Sequence, residues 1–441
     1  MNDLIQDAHA VLLPAFGGLE LDDVVLRYLD NGGISVLLGE SREEYVARAM
    51  SDERRAHETA AHFESVVELA RRHAGGGVIV AIDQELGGIQ RLHRFAPALP
   101  GFATARSLSA DEITKQSAEV AIAARGLGVN LFLAPIIDVV TGINPWLERR
   151  NLGADAAEVS RIACAFVRGV QAAGVAASAK HFPGHPVTEL DPALHEAVVK
   201  ATLDELQPTI GVFRDVIGAG VSAVMAGPAL VPAIDADEPS STSHDTLSFL
   251  RGELAFDGLI ISDDIDAPGI LRGRTIAATA VASLVAGADL LLVSSQSGLD
   301  VIVGTIVEAV KSGVLAQERL AEAAHRVRRR HRGELAGQRR IDGPEPGDRP
   351  RFSRQPELSE QRNGQVDARG QPPWTGGGGR ALGRVLTGGW CGVLTEQDVE
   401  VGAGAEFFQG AGQPGVAEAK RIVGDALVGL QDVSRRKSIA G

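Results

Sequence analysis

Short apolar runs alternate with longer amphipathic segments from the start of the chain to about residue 332. The runs are rich in valine, leucine, isoleucine and alanine, whereas the segments between them carry apolar residues at helical spacing. Eight runs are present, at residues 10–16, 34–39, 78–83, 129–138, 175–182, 221–227, 258–264 and 289–295. Runs that are apolar at nearly every position are typical of parallel strands covered by helices on both faces. The pattern therefore predicts eight strand–helix units.

Eight such units in succession indicate an α/β fold of the (β/α)8 TIM-barrel type, and residues 1–332 lie within the usual size of that fold. The alternative is an open, doubly wound sheet. It is disfavoured because no G-x-G-x-x-G turn follows the first predicted strand. We therefore predict one barrel domain over residues 1–332.

Residues 333–441 differ sharply in composition. They are biased towards glycine, proline, arginine and glutamine and include four consecutive glycines at 376–379. Such a segment has too little apolar surface to offset the chain entropy lost on folding. We predict a low-complexity, largely disordered tail, with a short helix over residues 416–433. Translation of this part in another reading frame would also account for the change.

Charge and cysteine content restrict the partners and the compartment. The chain has 57 acidic and 43 basic residues, which gives a net charge of −14 and argues against nucleic-acid binding and against an anionic membrane surface. Its two cysteines, Cys164 and Cys391, are too far apart for a disulfide framework or a zinc ribbon. No basic segment precedes an apolar run at the N-terminus. We expect a cytoplasmic monomer.

Polar side chains stand at the ends of several predicted strands. They are Asp83, Asp138, Lys180, His181, Asp263 and Asp264. Active sites of TIM barrels are built at the carboxyl ends of the strands, so we expect these side chains to meet at one mouth.

Two stretches could hold a polar ring such as a sugar. Asp83 and Arg91 could accept from and donate to hydroxyl groups, although an ion pair that closes a loop fits them equally well. In the loop over 143–153, Trp146 could supply a ring face and Arg149 or Arg150 a donor, whereas a solvated arginine pair is the alternative.

The stretch at 179–195, AKHFPGHPVTELDPALH, contains three histidines. His181 and His185 have the spacing of a zinc-binding helix, but Pro183 and Gly184 interrupt any helix between them. We therefore expect neither a metal site nor a cofactor.

Asp263 and Asp264 follow the seventh predicted strand. Glycoside hydrolysis needs one ionised carboxylate below the anomeric carbon and one proton donor at the leaving oxygen. Neighbouring carboxylates can divide into an ionised nucleophile and an orienting partner. A helix-capping aspartate is the alternative, and Asp266 fits that role better.

Together these motifs resemble glycoside hydrolase family 3, in its single-barrel β-N-acetylhexosaminidase branch. The resemblance covers about residues 5–330 and rests on KHFPGH at 180–185, SDD at 262–264, D-x7-R at 83–91 and an NP…R-x2-G stretch that ends at Gly153. It implies a retaining, exo-acting glycosidase with a carbohydrate substrate and Asp263 as nucleophile. The positions that hold the non-reducing sugar are then Asp83, Arg91, Arg150, Lys180 and His181.

The chain departs from the family pattern in the loop that carries the proton donor. That donor is a histidine paired with an aspartate two residues earlier. Asp191 keeps the aspartate position, but Ala193 replaces the histidine and the next histidine is His195. A displaced Asp191–His195 pair and an idle, exposed His195 are both open. The departure leaves a β-glucosidase, a glycoside phosphorylase and a sugar-binding protein without catalysis as alternative functions.

Overall fold

The computed structural model describes residues 2–331. The predicted tail over 333–441 therefore lies outside the described residues. The strands are β1 (Leu12–Phe16), β2 (Ser35–Leu38), β3 (Ile79–Ile82), β4 (Leu131–Phe132), β5 (Ala176–Phe182), β6 (Ala223–Ala226), β7 (Leu230–Val231), β8 (Asp235–Pro239), β9 (Leu259–Ile261) and β10 (Leu291–Ser294).

The fold is a parallel (β/α)8 barrel, which confirms the prediction. Its strand order is β10-β1-β2-β3-β4-β5-β6-β9, and each of the eight predicted runs supplies one strand. Backbone hydrogen bonds complete the ring, because the Leu290 amide donates to the Ile260 carbonyl (3.1 Å) and the Ser262 amide donates to the Leu290 carbonyl (2.9 Å). The remaining strands, β7 and β8, pair antiparallel and lie between β6 and β9 in the chain.

Helices follow the barrel strands. They are α1 (Asn2–Ala10), α2 (Asp23–Asp30), α3 (Arg42–Ala47), α4 (Asp52–His57), α5 (Ala60–His73), α6 (Phe102–Ser107), α7 (Ala110–Gly126), α8 (Ala156–Ala172), α9 (Leu203–Gly218), α10 (His244–Gly252), α11 (Pro268–Leu271), α12 (Ile276–Ala286), α13 (Leu299–Lys311) and α14 (Gln317–His331), with a 3-10 turn at His93–Phe95. Capping boxes at Ser41, Ser109 and Thr202 fix the starts of α3, α7 and α9. Between residues 2 and 331, no helix combines the length and apolar character needed to cross a bilayer.

The barrel strands are apolar at most positions because both of their faces are buried. In β2, Leu37 points into the barrel interior, whereas Val36 and Leu38 pack in the outer layer against helices. The interior cluster also contains Leu13, Ile79, Ala81, Leu131, Leu133, Ala176, Ala223, Met225, Leu259, Ile261, Leu290 and Leu292. The barrel is therefore filled below its mouth, and the charged side chains that face the cavity lie at the carboxyl ends of the strands.

Strand β4 is shorter than its apolar run, which extends over 129–138. Pro135 has no amide hydrogen and so cannot donate to a strand ladder. The chain continues beside β5 instead, where the Lys180 amide donates to the Pro135 carbonyl (3.0 Å) and the Ile137 amide donates to the Lys180 carbonyl (2.8 Å). This path brings Asp138 to the end of β5.

Candidate active site

A cavity of about 250 Å³ opens at the carboxyl ends of the barrel strands. Polar or aromatic side chains in its wall are Glu40, Ser41, Tyr45, Asp83, Trp146, Arg150, Lys180, His181, Asp263 and Asp264. Five of the predicted site residues, Asp83, Arg150, Lys180, His181 and Asp263, are therefore brought together, whereas Arg91, Asp191 and His195 are outside the lining.

One side of the cavity is a network of alternating charges. The Lys180 ammonium donates to Asp83 (2.7 Å) and contacts Glu85 at 2.8 Å. Arg150 donates to both carboxylate oxygens of Glu85, at 2.7 and 3.0 Å. Its third nitrogen, Nη1, is buried and has no hydrogen-bond partner in the described structure. Arg150 thus has a donor left for a ligand in the cavity.

The Gly87-Gly88 turn after β3 makes room for the Glu85 carboxylate. A Cβ atom on Gly88 would lie 2.0 Å from Glu85 Oε2, and Gly87 has a φ of +75°. The turn also lets the Ile89 amide donate to Glu85 (3.1 Å). Glu85 is a site residue that the sequence reasoning missed, and its only signal is its position two residues after the strand-end Asp83.

Burial opposes the charges in this network, but the ion pairs outweigh it. Burial alone would lower the pKa of Lys180, yet Asp83 and Glu85 raise it above the usual value. Burial would likewise raise the pKa of Glu85, yet Arg150 and Lys180 lower it. The network is therefore charged and fixed in place before any ligand arrives.

Asp138 organises the two histidines of the KHFPGH motif. Each of its carboxylate oxygens lies 2.9 Å from one Nδ1 atom, of His181 or of His185, and each accepts a hydrogen bond from the same residue's amide. Trp146 packs against both imidazoles, with ring centroids 4.2 and 5.0 Å apart. Asp138 therefore holds both rings with Nδ1 as the donor and Nε2 as the free nitrogen.

The same three side chains are close enough to be considered as metal ligands. Their separations are those of N–H···O hydrogen bonds, and four donors already share the two carboxylate oxygens. Hydrogen bonding accounts for this arrangement without a metal.

The Asp263 carboxylate has one fixed and one unpartnered oxygen. Its Oδ1 atom accepts from the Asp264 amide (2.8 Å), and its own amide donates to Ser241 Oγ (3.0 Å). Its Oδ2 atom is buried, has no hydrogen-bond partner in the described structure and lies 3.9 Å from His181 Nε2. Such an oxygen is positioned and poorly solvated, as a carboxylate nucleophile needs to be.

Asp264 is buried among neighbouring carboxyl groups. Burial raises the pKa of Asp264 well above its usual value, and the neighbouring carboxylates of Asp266 and Asp263 raise it further. These surroundings favour the neutral form of Asp264, and the division of the pair into an ionised nucleophile and an orienting partner stays a prediction.

Arg91 lies behind the cavity wall. Its guanidinium is completely buried and donates to both oxygens of Glu58, at 2.7 and 2.9 Å, and to the Gly39 carbonyl at 2.8 Å. Arg91 therefore forms an ion pair that holds a loop, but its partner is Glu58 and not Asp83, the partner in the alternative drawn from the sequence. It fixes the end of β2 next to Glu40.

The loop after β5 does not pair Asp191 with His195 in the described structure. The Asp191 carboxylate accepts from the Ala193 amide (2.9 Å) and lies 3.6 Å from an Arg48 nitrogen, whereas His195 is exposed. The His195 amide donates to the Asp191 carbonyl (2.9 Å), which places a tight turn between their side chains. Ala193 lines the cavity at this point. The roles predicted for Asp191 and His195 stay predictions.

Known proteins similar to this chain share both its sequence pattern and its fold. The profile of the glycosyl hydrolase family 3 N-terminal domain matches residues 41–330. A β-N-acetylglucosaminidase/β-glucosidase of Cellulomonas fimi is 31% identical over 282 residues, which are 61% of this chain and 50% of that protein. A β-hexosaminidase of Pseudomonas aeruginosa is 32% identical over 222 residues, 50% of this chain and 67% of that protein.

Solved structures agree with these matches. The β-N-acetylhexosaminidase of Beutenbergia cavernae superposes with a TM-score of 0.66 at 26% identity, over 74% of this chain and 98% of that one. A family 3 β-N-acetylglucosaminidase from Paenibacillus gives a TM-score of 0.66 at 27% identity, over 76% of this chain and 64% of that one. The chain thus spans nearly all of one relative and about half of the Cellulomonas protein.

Proposed function

Because the chain belongs to glycosyl hydrolase family 3, we propose that it is a retaining, exo-acting glycosidase that releases non-reducing β-N-acetylglucosamine. The similarity to β-N-acetylglucosaminidases and β-hexosaminidases supports the sugar. The observation that carries the proposal is the unpartnered, buried Oδ2 atom of Asp263 in a cavity lined by fixed polar groups.

In the proposed reaction, Asp263 Oδ2 attacks the anomeric carbon while the bond to the leaving oxygen breaks. The products are a glycosyl ester on Asp263 and an alcohol, which forms as the departing oxygen takes up one proton. Water then attacks the anomeric carbon, loses a proton and releases the sugar with its configuration retained. His181 Nε2 lies 3.9 Å from Asp263 Oδ2, next to the reacting atoms. It can accept a hydrogen bond from a sugar hydroxyl.

The charged network supplies the sugar contacts. Asp83 accepts hydrogen bonds from sugar hydroxyls. Lys180 and the free Nη1 of Arg150 donate to hydroxyl or acetamide oxygens. We assign Arg91 an indirect part, because its three nitrogens already hold Glu58 and Gly39.

The leaving oxygen needs a proton donor when its substrate has a poor leaving group. Ala193 stands in the cavity wall, so Asp191 and His195 can supply the proton only if residues 191–195 rearrange and bring the exposed ring inward. A glycoside with a good leaving group scarcely needs a general acid. The proposed nucleophile can therefore be tested separately from the proton donor.

The test is hydrolysis of 2,4-dinitrophenyl β-N-acetylglucosaminide by the unmodified protein and by Asp263→Asn. We expect turnover by the parent and a loss of at least roughly 10³-fold in the variant, with an unchanged melting temperature. Equal rates in the two proteins would reject Asp263, and no turnover by the parent would reject the activity.

A second substrate class follows from one relative. The Cellulomonas fimi protein is a β-N-acetylglucosaminidase/β-glucosidase. Comparison of kcat/KM for aryl β-glucoside and aryl β-N-acetylglucosaminide decides which sugar this cavity prefers.

We also propose a cytoplasmic monomer, which rests on the two separated cysteines and the charge balance. Fractionation of cells and sedimentation of the purified protein test these two points.

A further inference from the structure

Glu40 is a second carboxyl group in the cavity wall with an unused oxygen. It lies two residues after the end of β2 and lines the cavity. Its Oε2 atom is buried and has no hydrogen-bond partner among the described residues. The catalytic scheme above does not use Glu40, and the sequence reasoning missed it because it lies one residue beyond the predicted strand over 34–39.

The backbone on each side of Glu40 is fixed. The Gly39 carbonyl accepts from Arg91 (2.8 Å). The Ser41 amide donates to Glu44 (3.0 Å), and the Glu44 amide donates back to Ser41 Oγ (3.3 Å). The backbone that carries Glu40 at the cavity wall is therefore fixed.

The nearby charges leave Glu40 without a cation of its own. Lys180 is bound to Asp83 and Glu85, and Arg150 is bound to Glu85. Two cations thus face three carboxyl groups. Burial, Asp83 and Glu85 raise the pKa of Glu40 to about 8, and Lys180 and Arg150 oppose this only in part. At neutral pH the group is a carboxylic acid, which can both donate and accept a hydrogen bond.

We propose that Glu40 is a further substrate-binding residue whose carboxyl group holds a hydroxyl of the sugar beside Asp83 and Lys180. This inference rests on the proposed function, since it assigns a sugar to the cavity. The O–H of the carboxyl group donates a hydrogen bond to the hydroxyl oxygen. Its carbonyl oxygen accepts a hydrogen bond from the hydroxyl. Glu40 also selects against anionic substituents on that part of the sugar, because the carboxylates of Asp83 and Glu85 act on the same place.

The test compares Glu40→Ala and Glu40→Gln with Glu64→Gln, a control at an exposed position of α5. Substrates are aryl β-N-acetylglucosaminide and its 3-, 4- and 6-deoxy forms. At pH 6 we expect Glu40→Ala to lose roughly 10- to 100-fold in kcat/KM, and Glu40→Gln and the control to stay within about three-fold. On the deoxy sugar that lacks the contacted hydroxyl, Glu40→Ala should lose less than about two-fold in kcat/KM, because that contact is already absent.

The pH profile supplies a second readout. Above about pH 8 the parent should lose kcat/KM as Glu40 ionises, whereas Glu40→Gln should not show that loss. Equal Glu40→Ala losses on all four sugars would overturn the inference. A loss that grows with the pKa of the leaving group would also overturn it and identify Glu40 as the proton donor.

Binding of N-acetylglucosamine separates this inference from the proposed function. If the parent binds the sugar but hydrolyses no glycoside, and Glu40→Ala weakens binding roughly ten-fold or more, the activity is wrong and the contact is right. If Glu40→Ala binds the sugar as tightly as the parent does, the contact is wrong.

Discussion

Replacement of Arg91 by methionine tests whether this arginine positions the site or binds the sugar. The structure places its guanidinium against Glu58 and the Gly39 carbonyl, with no surface exposed. Methionine keeps much of the side-chain volume but removes all three donated hydrogen bonds. The Glu58 carboxylate, only 12% exposed, would keep His93 and Arg54 as partners.

The size of the effect follows from Glu58. Burial would raise the pKa of Glu58, but hydrogen bonds from His93 and Arg91 and the charge of Arg54 lower it from 4.5 to about 2. Each pKa unit corresponds to about 1.4 kcal/mol, so these partners together stabilise the fold by ~3 kcal/mol. Because the pKa is lowered, the contribution is complete above about pH 4.5 and is lost as pH falls through 2.

Loss of Arg91 removes part of that contribution and also leaves the buried Gly39 carbonyl without its donor, which typically costs about 1–3 kcal/mol, so we expect a total loss of ~3 kcal/mol for Arg91→Met. That loss lowers the melting temperature by roughly 5 °C at neutral pH, measured by circular dichroism. Arg94→Met is the matched control, because Arg94 is exposed and donates only to the Glu58 backbone carbonyl (2.6 Å). A normal melting temperature with a much higher KM in Arg91→Met would refute the placement and restore direct sugar binding.

Three further predictions concern the network, the loop after β5 and the tail. Glu85→Gln should lower kcat/KM by roughly 10²-fold or more, because it leaves Lys180 and Arg150 short of a buried counter-charge, whereas full activity would contradict the network. His195→Ala should stay within about two-fold of the parent on both dinitrophenyl and alkyl β-N-acetylglucosaminides, whereas a loss above about ten-fold on the alkyl substrate alone would show that the ring moves inward as a general acid. Removal of residues 335–441 should change the melting temperature by less than about 3 °C, because that composition has little apolar surface to pack, and an insoluble product would contradict this.

The fold could be predicted from the sequence because burial on both strand faces leaves a strong pattern. Each apolar run became a barrel strand, and the polar residues at strand ends met at one mouth, as shown by Asp83, Lys180 and Asp263. The exception in length was β4, where Pro135 ended the ladder early.

The roles of individual charged residues were harder to predict because they depend on distant partners. Arg91 and Glu58 are 33 positions apart, and Glu85 and Arg150 are 65 apart, so spacing gave no sign of either pair. Whether a side chain faces the cavity or lies behind it depends on turns such as Gly87-Gly88, which sequence periodicity does not describe.

Covalent labelling tests the central claim most directly. The protein is incubated with 5-fluoro-β-N-acetylglucosaminyl fluoride, whose ring fluorine slows breakdown of a glycosyl ester, and then digested for mass spectrometry. We predict one sugar per chain, attached to Asp263 and absent in Asp263→Asn. A label on Asp264 or on any other residue, or an active enzyme that takes up no label, would contradict the account.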